Sequence, residues 1–258
     1  MFYSRFAAVA ATLALAVISG CSKDSDPQGP ELGVFSVEMD HLVGTRDLNL
    51  DTDTYTTTAG DNFKVSTFKY YVSNVQLRKA DNSAYSVPDS YFLIDQAKPG
   101  SKTLSFADVP AGDYTGISFV VGVDSARTKA GAYTGVLDAS NGMWWDWSQE
   151  FINVKLEGTS PQSPRGGLVF HIAGFKGANG ANNTIRTVSL PFPASTKLLV
   201  RKDHTPEMHV HVNVLGMFEG PNPVRFATVN NTMGGAPSVR VADNIAAGMF
   251  AVDHIHAN

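Results

Sequence analysis

Seven histidines and three tryptophans are the side chains of this 258-residue chain best equipped for chemistry, and several of them are clustered. His209 and His211 lie two apart in Met208-His209-Val210-His211-Val212, and His254 and His256 repeat that spacing near the carboxyl end. Residues i and i+2 of an extended strand share a face, so each pair directs two imidazoles the same way. All the tryptophans, Trp144, Trp145 and Trp147, fall inside Gly142-Met143-Trp144-Trp145-Asp146-Trp147. Imidazole suits copper, and a Cu(I) ion needs only two or three neutral donors. Clustered indoles with dispersed histidines point to a soft-metal or redox site rather than to a hydrolase. Plainer roles stay open: an H-x-H pair as an exposed polar face, the indoles as an aromatic plug closing the end of a sandwich.

Two further histidines are candidate ligands. His41 follows Met39-Asp40 at the end of an apolar alternation, and His171 follows Leu168-Val169-Phe170, where a ligand and a hydrogen-bonded core histidine are both open. His204, in Lys202-Asp203-His204-Thr205-Pro206, reads as a solvated turn residue. Asp146 and Glu150 flank the indoles and read as solvated loop acids. Other chemistry is poorly supported. Gly122-Val123-Asp124-Ser125 contains no G-x-S-x-G elbow, and Asp51-Thr52-Asp53 lacks the glycine and terminal glutamate of a calcium loop. No acid, base and nucleophile set can be assembled, so the expectation is a binding protein and not an enzyme.

The amino terminus sets where such a site would work. Arg5 precedes an apolar run from Phe6 to Val17, and Ile18-Ser19-Gly20-Cys21 has the spacing of a lipoprotein-processing site. Residues 1–20 are therefore expected to be a lipoprotein signal peptide. Residues 21–32 would be the lipidated Cys21 and a flexible tether rich in polar residues, Pro and Gly. Cys21 is the only cysteine, so after acylation no free thiol remains and histidine becomes the natural ligand, with Met as a softer helper. The expected location is the outer membrane, facing the periplasm or the cell surface, with a lipid anchor to the membrane. A formal net charge of −4 without a basic block argues against nucleic acid.

The body, residues 33–258, must position these side chains, and its pattern is β. Near-alternating apolar residues run from Leu32 to Met39 and from Asn62 to Lys79. Shorter strands are expected at Tyr91–Asp95, Ser101–Phe106, Thr115–Val123, Asn153–Glu157, Gly167–Ile172, Ile185–Leu190, Lys197–Arg201 and Met208–Leu215, separated by Pro, Gly and Asp turn signals. Only the stretch around Ala242–Met249 reads as helix. The expected fold is all-β, an antiparallel Greek-key-like β-sandwich with long loops and at most one or two short helices.

Several local motifs share an order with one known family. Phe68-Lys69-Tyr70-Tyr71-Val72-Ser73-Asn74, Tyr91-Phe92-Leu93-Ile94-Asp95, Gly122-Val123-Asp124-Ser125-Ala126-Arg127, Gly142-Met143-Trp144-Trp145-Asp146-Trp147, Lys155-Leu156-Glu157-Gly158, Phe170-His171-Ile172-Ala173-Gly174 and Val252-Asp253-His254-Ile255-His256 resemble, in order, segments of the MbnP-like copper-binding proteins. The resemblance implies a β-sandwich that binds copper, with a tryptophan oxidised to kynurenine joining histidines around Cu(I). It further implies a MauG-like di-haem cytochrome-c peroxidase as the partner that carries out the oxidation. The candidate metal ligands, from spacing and residue chemistry together with the resemblance, are His41, His171, His209, His211, His254 and His256; on the resemblance Trp147 and Trp145 are the candidates for oxidation, Trp147 first. The chain departs from the family where Trp147-Ser148-Gln149-Glu150-Phe151 replaces W-N-S-G-Y. The alternative expectation is a non-catalytic surface lipoprotein with a structural tryptophan cluster and no metal.

Overall fold

The computed structural model describes residues 1–2 and 30–256, apart from 132, 177–180 and 194. The expected processing site, Cys21 and most of the leader and tether lie outside the described residues. In chain order the strands are β1 (Leu32–Val43), β2 (Arg46–Asp47), β3 (Tyr55–Thr56), β4 (Asn62–Lys79), β5 (Ala84–Ser86), β6 (Tyr91–Asp95), β7 (Thr103–Pro110) and β8 (Gly112–Val121). They continue with β9 (Trp144–Trp145), β10 (Glu150–Thr159), β11 (Gly167–Ala173), β12 (Arg186–Pro191), β13 (Leu198–Val200), β14 (Glu207–Asn213), β15 (Asn231–Met233) and β16 (Phe250–His256). Two α-helices accompany them, α1 (Ser125–Ala130) and α2 (Gly235–Gly248). None of the described helices is long and apolar enough to cross a membrane.

The strands form two sheets. The smaller has the order β16-β14-β1-β2, with β7 also paired to β1; the larger has the order β12-β8-β4-β10-β11-β15, with short strands added along it. The fold is the expected all-β sandwich, with mixed strand directions. Most pairs are antiparallel, but β1 runs parallel to β14 and β11 parallel to β15. Alternation decides the faces. Phe35, Val37, Met39 and Val43 of β1 and Met208, Val210 and Val212 of β14 are buried, as are Phe68, Tyr70 and Val72 of β4, Leu156 of β10 and Phe170 of β11. Each fully buried large apolar side chain contributes about 1.5–3 kcal/mol, so this layer outweighs any single polar contact in the molecule.

Because the period is two, fixing one face of β1 and β14 inward fixes Glu38, Asp40, His209 and His211 outward. The β1–β14 register sets Glu38 beside His209 and Asp40 beside His211. Strand β16 closes the edge, with His254 opposite His209 and His256 opposite Glu207. A register shift between His209 and Val210 leaves Asp253 without a cross-strand partner.

Helix α2 begins earlier than the apolar pattern suggests, at Gly235 rather than near Ala242. Pro237 sits in its first turn, where the missing N–H costs no intrahelical bond. Val241, Ala242 and Ile245 are its buried apolar residues. Asn244, also buried, donates to the carbonyls of Met217 and Asn222 and accepts the Asn222 N–H, so its amide is satisfied.

Candidate metal centre

The four histidines of the two H-x-H pairs share the outer face of the smaller sheet. One ring nitrogen from each of His209, His254 and His256 lies within 4.8 Å of the other two. The His209 and His254 rings stack, centroids 4.4 Å apart and 8° from parallel, and His256 stands at about a right angle to both. His254 Nε2 and His256 Nε2 approach to 3.0 Å. His209 is partly buried and the other two are exposed, so the trio is open to an arriving ion.

Carboxylates hold the opposite edges of two of these rings. His209 Nδ1 lies 2.9 Å from Asp40 Oδ2, and His254 Nδ1 lies 2.6 Å from Asp253 Oδ2. A carboxylate on Nδ1 fixes the ring and the tautomer and leaves Nε2 with its lone pair, the arrangement that metal-bound histidines use. The hydrogen bond from His254 is the largest cause holding the Asp253 carboxyl below its usual range, so this acid stays ionised beside the rings. His211 joins more loosely, with Nε2 3.6 Å from Asp253 Oδ2.

His41 occupies the inner face of the same sheet and is a different object. It is 4% exposed, with Nε2 2.9 Å from the Tyr70 hydroxyl, Nδ1 2.7 Å from Gln96 Oε1, and its edge against Phe68. Burial lowers its pKa to about 4, outweighing the hydrogen bond to Gln96. Both nitrogens are engaged in the core, and the sheet itself separates it from the outer imidazoles.

His171 is on the larger sheet, half-buried, with Nε2 2.8 Å from Glu157 Oε1. Desolvation lowers its pKa despite that carboxylate. Its Nδ1 is buried without a hydrogen-bond partner among the described residues. The Trp145 ring lies 6.1 Å from it, and Trp147 packs against Trp145 with centroids 4.8 Å apart and planes tilted by 32°. Trp145 is buried in β9, whereas Trp147 is 70% exposed. Trp144 packs away from both, against Tyr133 and Phe151, with its Nε1 donating to Asp146. Trp145 and Trp147 therefore accompany His171, and the candidate residues divide into three groups: the outer imidazoles, the buried His41, and His171 with these two indoles.

Glu150 is not a solvated loop acid. It is buried and accepts the backbone N–H groups of Phe175 and Lys176, tying the tryptophan loop to the end of β11. His204 is half-buried rather than solvated, with Nδ1 lacking a partner among the described residues. Sequence reasoning passed over Glu38, Asp40, Glu207 and Asp253, the acids of the imidazole face. Glu207 was within reach, since it continues the two-residue spacing of His209 and His211. Asp253 was not: in a regular strand it would face away from His254, and only the β16 irregularity brings it round.

A family model for MbnP matches residues 33–234. The chain belongs to the MbnP family. Its fold is similar to that of MbnP from Methylosinus trichosporium, with a TM-score of 0.54 and 16% sequence identity, over 88% of this chain and 99% of that one. No curated protein matches the sequence. The family match stops at α2, so His254 and His256, which complete the trio, lie beyond it.

Proposed function

We propose that this MbnP-family chain is a lipid-anchored, extracytoplasmic copper-binding protein that holds Cu(I) on the outer face of its smaller sheet through His209, His254 and His256. The observation that carries this reading is the convergence of three imidazole nitrogens within 4.8 Å. Three neutral imidazole nitrogens are enough donors for Cu(I), and the carboxylates on two Nδ1 atoms orient the rings for a metal. Membership of a copper-linked family supports the same metal. The site binds and does not turn over a substrate. Cys21 would supply the anchor at the outer membrane, in the periplasm or at the cell surface.

The test is competition with a chromogenic Cu(I) chelator under anaerobic conditions. One tightly held Cu(I) per chain, lost in His254→Ala/His256→Ala, is the expected result. Release of all copper to a moderate chelator would overturn the reading.

A second reading has its own observation, the unpartnered His171 Nδ1 beside Trp145. Oxidation of Trp145 or Trp147 to kynurenine by a MauG-like di-haem peroxidase would place an aniline nitrogen in this neighbourhood. Copper would then sit between that nitrogen and His171. Trp147, at 70% exposure, is the indole a protein oxidant reaches first. Mass spectrometry of the peptide containing Trp144–Trp147, from protein made in its native host, tests this. One carbon exchanged for one oxygen is the expected signature, and three intact indoles would remove the second reading.

A further inference from the structure

The outer face of the smaller sheet carries more negative charge than the imidazole trio uses. Glu38, Asp40, Glu207 and Asp253 all lie there, and among the described residues none has a Lys or Arg within salt-bridge distance; the cationic partners they do have are histidines. Asp40 and Asp253 are engaged on ring nitrogens. Among the described residues Glu38 and Glu207 make no hydrogen bond to a ring nitrogen, Glu207 only facing His209 at salt-bridge range. One oxygen of each and one nitrogen of His209 lie within 4.8 Å of one another, and all three residues are partly buried. The parallel pairing of β1 with β14 builds this group, setting Glu38 beside His209 while Glu207 stands two residues back on the same face. His209 Nε2 lies 4.0 Å from Glu207 Oε1.

We propose that Glu38, Glu207 and His209 form a second metal site, for a borderline divalent cation such as Zn²⁺, that shares His209 with the imidazole trio. Two carboxylates and one imidazole are a donor set for zinc, and an oxygen-rich set disfavours Cu(I). Donors bound at roughly 2.0–2.2 Å sit closer together than the present spacing, so the side chains must draw in on the ion. Asp40 holds His209 Nδ1, leaving only Nε2 to coordinate, and one nitrogen lone pair serves one ion. The two sites are thus mutually exclusive at His209, and the divalent ion and Cu(I) lower each other's affinity by the same factor. The proposal rests on the copper reading only for that competition; the divalent site stands without it.

The experiment is calorimetric titration of Zn²⁺ into the metal-free full chain, beside the Cu(I) competition assay, on wild type, Glu38→Gln/Glu207→Gln and His254→Ala/His256→Ala. All four substitutions are at residues of the outer face, and circular dichroism melts check that each variant is folded. Removing the glutamates should weaken Zn²⁺ by at least ~10-fold and leave Cu(I) within about threefold, the former figure being typical of removing even a group that only orients a ligand. Removing the two histidines should reverse the pattern. Pre-loading with Cu(I) should weaken Zn²⁺ in the wild type. Zn²⁺ binding indifferent to the glutamates, or lost with the two histidines, would overturn the divalent site. Full Zn²⁺ affinity in the presence of bound Cu(I) would overturn the sharing of His209. Failure to retain Cu(I), with Zn²⁺ still dependent on the glutamates, would sink the copper reading and leave the second site standing.

Discussion

The two faces of the smaller sheet use histidine in opposite ways. Inside, His41 is buried among Phe68 and Tyr70 with both nitrogens hydrogen-bonded and a pKa lowered to about 4. Outside, His209 and His254 have Nδ1 anchored by carboxylates, and their rings meet at His256. The inner ring completes the polar contacts of the buried Tyr70 and the partly buried Gln96; the outer rings lie on an open face that an ion can reach. What separates the two settings is what the second nitrogen meets: at His41 the Tyr70 hydroxyl in the core, at His254 another imidazole nitrogen on an open face.

The comparison is most severely challenged by exchanging the roles. His209→Ala removes a donor from both proposed sites, and its cost in Cu(I) affinity should exceed the ~10–100-fold typical of losing a group that only orients a ligand. The chelator assay reads it directly. His41→Ala should leave Cu(I) affinity within about threefold yet destabilise the fold by about 2–4 kcal/mol in urea titration. It empties a buried site and strips partners from the Tyr70 hydroxyl and Gln96. Copper loss in His41→Ala with unchanged stability would invert the assignment.

The pH dependence sharpens the same contrast. With its pKa lowered from 6.5 to about 4 in the folded state, His41 binds its proton more readily when unfolded. Its contribution is present above pH 6.5 and is lost as pH falls towards 4, amounting to roughly 3 kcal/mol. The half-buried His171, also lowered, adds a smaller loss of the same sign. Urea midpoints of the metal-free protein between pH 7 and 4.5 should fall, and His41→Gln should flatten most of that slope. A slope unchanged in His41→Gln would show that the buried imidazole is not its source.

Asp40→Asn probes the outer face more gently. Replacing the carboxylate on His209 Nδ1 should weaken Cu(I) by about tenfold, with little change in melting temperature. The smallest effect belongs to Trp147→Ala. At 70% exposure it should shift stability by under about 0.5 kcal/mol, whereas a buried indole such as Trp145 costs several times more.

Much of the fold was legible because alternation is a local property. The expected strands Asn62–Lys79 and Tyr91–Asp95 coincide with β4 and β6. The parallel pairing of β1 with β14 was not legible, since strands so far apart in sequence carry no local mark of being neighbours. The start of α2 was hidden by Gly234-Gly235-Ala236-Pro237, which reads as a turn.

The family motifs turned out to carry architecture. Asp124 caps α1 by accepting the Arg127 N–H and also receives the Tyr91 hydroxyl and the Asn74 amide, linking three of the motif segments. Gly158 of β10 passes so close to β4 that a Cβ would lie 2.0 Å from the Lys64 carbonyl oxygen. The H-x-H spacing announced which histidines share a face. Which pairs meet depends on the β14–β16 register and its irregularity, a tertiary fact.

The position of bound copper decides between the outer imidazoles and the other histidines. Diffraction from Cu(I)-loaded crystals on either side of the copper absorption edge measures it without assumption about ligands. One anomalous peak is expected, bounded by His209, His254 and His256 at the ~2 Å bond lengths of metal–imidazole contacts. A peak beside His171 and the indoles, or one against His41, would contradict it.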